Sequence, residues 1–211
     1  MKLFDYNIVV CLSPHPDDVE YSMSGTIEKF KETKFINLVL SMGTTSDITS
    51  TGERNKEVEV FWGNLGVKNL KTIFLNQKFD VLDDGKWIDV IEQELDFTKI
   101  DAIFATSSED THYEHQITNR LLHTLGRNKK ISLYEYKSPS TKNNWVSNFY
   151  VEIDDFYENK VKYLLKSFIS QLDALYFNKK LLNLFNSNFN ISKLGTNKIE
   201  NFRIIRKIIN N

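Results

Sequence analysis

The sequence predicts an α/β protein: a doubly wound, mostly parallel (Rossmann-like) sheet with helices on both faces, in a single domain over residues 1–211. Three observations lead there. Short apolar runs alternate with stretches of helical periodicity. Alternation of that kind implies right-handed crossovers between parallel strands. No Pro/Gly/Ser-rich linker, internal repeat or low-complexity tract divides the 211 residues, a length that suits one large domain.

The elements follow in order. Residues 7–13 (NIVVCLS) read as a buried strand, and 18–31 as a helix with Met23, Ile27 and Phe30 on one face. FINLVLS at 35–41 reads as a second strand. The Gly/Ser/Thr-rich stretch 42–52 interrupts the pattern as a loop, and a helix at about 53–65 follows. Next come a strand at 71–75 (KTIFL), a polar loop through 76–86 and a helix near 87–97. A strand at 100–105 (IDAIFA), a helix near 114–127 and a strand at 131–136 (ISLYEY) complete the series. Leu164, Phe168 and Leu172 recur every four residues with Leu165 and Ile169 beside them, which predicts one long helix over 155–177 packed on the sheet. Beyond 178 the Asn/Lys-rich chain carries little signal. Its end, NFRIIRKIINN, intersperses Ile204, Ile205, Ile208 and Ile209 with Arg203, Arg206 and Lys207. The preferred reading is a terminal helix docked on its own domain; attachment to a membrane surface is the alternative.

Composition narrows the function. With 41% hydrophobic and 26% charged residues the chain is an ordinary globular one, so fibrous and disordered classes lose support. A net charge of −1 supplies no overall field for nucleic acid or an acidic membrane, and no nucleic-acid partner is expected. The single cysteine, Cys11, sits in a strand-like run and reads as a core residue, compatible with a reducing cytoplasm. The N-terminal apolar stretch is too short for a signal peptide. No window approaches the roughly 18–20 apolar residues a membrane span needs.

Chemistry concentrates after the first strand, in SPHPDDVEYS (13–22). Pro14 and Pro16 hold Ser13 and His15 out of the helical region, so the helix should begin near Asp17. Asp17 and Asp18 then lie in its first turn, where simple capping accounts for them. His15, three residues before Asp18, changes the reading, because a rigid His-x-x-Asp turn aims a ring nitrogen and a carboxylate at one cation. A catalytic zinc takes three protein ligands and keeps one open position. The third ligand is sought in TSSEDTHYEHQITN, after the fourth predicted strand, as either His112 or His115. In a doubly wound sheet both turns lie at the carboxyl edge where ligands bind. Asp17 would stay free as a base. His123, without a partner, reads as a surface residue. Arg54 reads either as a substrate contact or as a surface residue paired with Glu57. Asp80, in the polar loop, is a candidate sugar contact.

These motifs resemble those of a known family. Pro14-His15-Pro16-Asp17-Asp18 after a buried strand, with His112-Tyr113-Glu114-His115 after a later one, is similar to the zinc-dependent PIG-L/LmbE-like N-deacetylases. Arg54 to Glu57, Leu65-Gly66-Val67, Lys160, Ser170-Gln171 and the closing run from Gly195 to Glu200 and Phe202 extend the resemblance over nearly the whole chain. Members remove acetyl groups from N-acetylglucosaminyl compounds. The resemblance implies that His15, Asp18 and His115 bind Zn2+ or another divalent metal, that Asp17 is the general base, and that His112 stabilises the oxyanion or acts as an acid. The implied substrate is a small amino sugar or its conjugate, in glycan, glycolipid or glycoconjugate biosynthesis; its carrier and the oligomeric state, a homo-oligomer included, are left open. Two departures stand out. Phe168 occupies the place of a frequent histidine, which should alter the wall of the pocket, and Tyr113-Glu114 replaces a Pro-Asp pair. Alternatives are an amide hydrolase for a thiol-conjugated or nucleotide-linked amino sugar, and a metal-holding sugar-binding module without turnover.

Overall fold

The computed structural model describes residues 1–41, 48–80, 82–187 and 198–208. Their strands form one sheet in the order β3-β2-β1-β4-β5-β7-β6. The first five, β1 (Ile8–Ser13), β2 (Lys34–Ser41), β3 (Leu70–Gln77), β4 (Ala102–Thr106) and β5 (Ser132–Tyr136), pair in parallel. β6 (Phe149–Glu152) and β7 (Ile199–Arg206) close the far edge antiparallel. The helices are α1 (Asp18–Lys29), α2 (Ile48–Leu65), α3 (Asp84–Glu94), α4 (Tyr113–Gly126), α5 (Asp154–Ser167) and α6 (Lys179–Phe185). The doubly wound class is as the alternation predicts.

Period-two alternation sends strand residues to opposite faces. In β1, Val9 and Cys11 join the core under α1, α2, α5 and α6. Val10 and Leu12 join the other core, under α3 and α4. β4 divides likewise, Ala102 and Phe104 against Ile103 and Ala105. Both faces are therefore buried, which is why β1 and β4 read as unbroken apolar runs. Cys11 is fully buried, and that burial holds its thiol protonated.

Two expectations are corrected. The helix predicted over 155–177 ends at Ser167. Phe168 leaves helical geometry at φ −91° and ψ 64° and turns into the core between Phe61 and Phe177. A 3-10 turn follows at Ile169–Gln171. The period of four was real, but burying Phe168 outweighed continuing the helix. The second correction is the chain end, predicted as a helix. It is β7, paired with both β5 and β6, whose main chain gains two ladders there. Arg206 donates to the carbonyls of Gly126, Lys129 and Ile131, so its charge ends on backbone oxygens. Ile209 lies outside the described residues.

α1 is two helices joined at Met23, which sits at φ −143° and ψ 17°. Such a break removes backbone acceptors from the turn that follows. Glu200 of β7 supplies them, accepting from the Gly25 and Thr26 N–H groups at 2.9 and 2.7 Å. Lys160 of α5 pairs with the same carboxylate at 2.6 Å, both side chains fully buried. Among the described residues no helix is long and apolar enough to cross a membrane.

Candidate active site

The strand order turns back between β1 and β4, which are direct neighbours in the sheet. Loops leaving the carboxyl ends of two such strands diverge to opposite sides and leave a crevice. His15 follows β1 and His115 stands in the first turn of α4 after β4, so the topology brings them together.

The β1 turn is held at every residue. Ser13 Oγ donates to the His15 carbonyl at 2.7 Å, and the Ser41 N–H donates to the Pro14 carbonyl at 3.0 Å. The His15 N–H donates to Asp18 Oδ2 at 2.9 Å. Asp17 takes a φ of 125°, a conformation that costs a side-chain-bearing residue about 1–3 kcal/mol. Its N–H donates to the buried Glu20 carboxylate at 3.1 Å. Glu20 also accepts from Asn37 and the Trp62 indole, both at 2.7 Å, so three elements fix the anchor that keeps Asp17 in place.

Asp18 is central. Its Oδ2 lies 3.2 Å from His15 Nδ1, and its Oδ1 lies 3.3 Å from His115 Nε2. One ligand atom each from His15, Asp18 and His115 can be chosen with all of them within 4.8 Å of one another, and all three residues are buried. Each imidazole meets a carboxylate on its other nitrogen as well: His15 Nε2 contacts Glu114, and His115 Nδ1 lies 3.0 Å from Asp110. Charges set the protonation. Burial opposes protonation of His115, but Asp18 and Asp110 prevail and push it up to about 10. Burial likewise lowers His15, yet Asp18 and Glu114 raise it overall. Asp18 is held well below the usual carboxylate range by the two imidazoles, against the effect of burial.

Asp17 differs from its neighbour. Burial, then the adjacent Asp18 charge, push its carboxyl up to about 7, against the pull of Arg54. The Arg54 guanidinium donates to the Pro16 carbonyl at 2.8 Å and lies 3.5 Å from Asp17 Oδ1. Asp17 Oδ2 is buried and has no hydrogen-bond partner among the described residues. His112, exposed at the N-cap of α4, accepts the Glu114 N–H on Nδ1 at 3.3 Å. Its proton therefore resides on Nε2. Burial, followed by the charges of His115 and His15, lowers its pKa.

The three histidines, Asp17, Asp18 and Arg54 line an open cavity of about 450 Å³, together with Tyr21, Gln171, Tyr176, Pro139, Ser140, Leu175 and Leu181. A wider groove of about 850 Å³ lies at the amino ends of β2 and β3 and contains none of the histidines.

Two buried imidazoles and a carboxylate that all point their donor atoms to one spot, beside an orphaned acid oxygen, fit a divalent cation. The sequence match agrees: residues 10–125 match the PIG-L family model, described as GlcNAc-PI de-N-acetylase. The chain belongs to the PIG-L family. No curated protein matches it significantly. Among solved structures it is similar to N,N'-diacetylchitobiose deacetylase from Pyrococcus horikoshii, at 24% identity and a TM-score of 0.71 over 96% of this chain and 85% of that one. A deacetylase of the teicoplanin biosynthesis pathway matches at 12% identity and a TM-score of 0.72, over 95% and 98% of the two chains. A 4-carboxy-2-hydroxymuconate hydratase from Pseudomonas putida KT2440 matches at 13% identity and a TM-score of 0.70, over 100% and 99%. These likenesses establish the PIG-L fold, which carries more than one reaction, so chemistry must be argued from the site.

His15, Asp17, Asp18, His112, His115 and Arg54 all line the cavity. Asp80 does not: it is exposed on the loop whose Phe79 ring lies 6.2 Å from His15. None of the described residues between 76 and 86 lines the cavity, and 42–47 fall outside the described residues. Arg54 does not pair with Glu57, whose carboxylate takes Ser170 N and Oγ at 2.8 and 2.6 Å. Phe168, expected in the pocket wall, lies behind it in the core. His123 is exposed, as read. Sequence reasoning missed Glu20, Asp110 and Glu114, each within a quoted motif, and the rim of Tyr21, Tyr176, Leu175 and Leu181, which no spacing marks.

Proposed function

We propose that the chain is a metal-dependent N-deacetylase that hydrolyses the acetamide of an N-acetylglucosamine-like sugar or its conjugate to acetate and a free amine. The observation that carries this reading is the convergence of His15, Asp18 and His115 beside Asp17, whose Oδ2 is buried without a partner. His15, Asp18 and His115 would hold the ion, zinc by the choice of two imidazoles and one carboxylate. A cation bound there supplies Lewis-acid polarisation of the acetamide carbonyl and a water acidified to a pKa of roughly 7.

Asp17 acts as the base. Its Oδ2 takes a proton from the attacking water and passes it to the departing nitrogen, since an amine anion does not leave. Arg54 keeps Asp17 oriented and presents a fork of donors to a sugar hydroxyl or phosphate. His112, with its proton on Nε2, donates to the oxyanion, a contribution of about 3 kcal/mol for one well-placed donor. Tyr21 and Tyr176 offer aromatic walls to the sugar, and Asp80 contributes only from a shifted loop. A reducing, cytoplasmic setting agrees with the free thiol of Cys11.

The test is a panel of free, nucleotide-linked, thiol-conjugated and lipid-linked N-acetylhexosamines, scored for free amine. Release from at least one member is expected. Binding of such sugars without release would favour a metal-holding sugar-binding module. Arg54→Ala should raise KM more than it lowers kcat; an unchanged KM would remove Arg54 from substrate binding.

A further inference from the structure

Resting on the reading above, we infer that Asp110 is a positioning residue that sets the tautomer of His115 and, through the same carboxylate, the place of His112. Asp110 is fully buried in the loop between β4 and α4. Its two oxygens divide their work. Oδ1 accepts the His112 N–H at 2.8 Å, which ties down the residue that caps α4. Oδ2 faces His115 Nδ1 at 3.0 Å and accepts from the Ser138 hydroxyl and, at 3.4 Å, from Thr141. Ser138 and Thr141 brace each other, the Ser138 N–H donating to Thr141 Oγ1 at 2.9 Å. The segment after β5 thus holds the carboxylate from behind.

The consequence is chemical. Imidazole can carry its proton on either nitrogen, and a carboxylate, which only accepts, selects the tautomer with the proton toward it. Asp110 therefore keeps a proton on Nδ1 and leaves Nε2, the atom 3.3 Å from Asp18, without one when a cation binds. Asparagine in this place keeps one acceptor oxygen. With that oxygen on the His112 N–H, its amide N–H groups face His115 Nδ1, and the ring must turn its proton to Nε2, the same inversion by which a buried Asp→Asn change disables a catalytic histidine. Sequence position gave no hint of this, because Asp110 stands among Ser107, Ser108, Glu109 and Thr111 in an ordinary polar turn.

The experiment uses the full chain, zinc and a competing chelator. Asp110→Asn should weaken zinc binding roughly 10–100-fold while, in the metal-free chains, circular dichroism and the melting profile stay those of the parent. A folded Asp110→Asn chain that binds zinc within twofold of the parent would overturn the inference. Nitrogen-15 spectra of the histidine rings in the unmutated chain decide the matter even where the variant fails to fold. A protonated His115 Nδ1 is expected with and without zinc, with Nε2 unprotonated once zinc is added; an unprotonated Nδ1 overturns the assignment. Failure of the unmutated chain to bind zinc at all would instead overturn the functional reading, while the ring spectra would still report on Asp110.

Discussion

Asp17 and Asp18 are adjacent in sequence and opposite in circumstance. Asp18 sits between two imidazoles that favour its charge; Asp17 is pushed up to about 7 by burial, with Arg54 as its nearest cation. Two carboxylates whose environments separate their pKa values take separate roles, one a ligand and the other a proton carrier. Asp17→Asn is accordingly expected to lower kcat by roughly 10²–10⁴, the range for a lost general base, with metal content unchanged. Turnover retained in that variant, measured as amine release, would end its role as base. The residues legible in the sequence were those inside the His-x-x-Asp turn and the paired histidines of 112–115, where residue type and spacing both point to metal. Asp80 lies off the cavity, and of the two readings of Arg54 the pairing with Glu57 is not found, because which way a loop side chain faces depends on packing that no local pattern records.

At the scale of elements, the kink of α1 at Met23 joins the site to the edge of the sheet. The first half of α1 carries Asp18 and Glu20. The second half hangs on Glu200, which accepts from Gly25, Thr26 and Lys160. Removing one partner of a fully buried pair leaves an uncompensated charge, typically costing about 3–5 kcal/mol. Glu200→Gln should show that loss in urea denaturation; a loss below about 1 kcal/mol would mean that water or another group replaces the carboxylate. Gly25 is a second tight point, since a Cβ there would approach Ile153 Cγ2 at 2.9 Å, closer than real contacts allow. Gly25→Ala is expected to destabilise by about 1–3 kcal/mol, as overpacking does, read from the same denaturation curves. β1 and β4 were legible because both faces are buried and each is a compact apolar run, and β3, a half-buried edge, because Ile73-Phe74-Leu75 still stand together between polar neighbours. β6 and β7 were not: Phe149 to Glu152 is only a four-residue edge, and the charges of Arg203 and Arg206 disguise a strand whose guanidinia end on Glu109 and on backbone carbonyls. The long helix failed at Phe168 for the converse reason, a periodicity that continues past the residue that turns inward.

For the whole molecule, the reversal of strand order between β1 and β4 is what makes the site possible. His15 and Asp18 come from the turn between β1 and α1 and His115 from the start of α4 after β4, so the cation would bridge two halves of the sheet, α1 on one side and α4 on the other. A ligand that binds only the folded chain stabilises it by mass action, about 2.7 kcal/mol at a hundredfold excess over its dissociation constant. Chelation is therefore expected to lower the melting temperature and abolish amine release together, and added zinc to restore both. A melting temperature indifferent to chelator would detach the metal from the fold. The measurement that bears most directly on the account is a titration of zinc into the chelator-stripped chain, run in parallel for the parent, Asp17→Asn and His115→Ala. One equivalent is expected for the parent and for Asp17→Asn, and loss of that binding in His115→Ala. Undiminished binding in His115→Ala, or none in the parent, would contradict a cation site built from His15, Asp18 and His115.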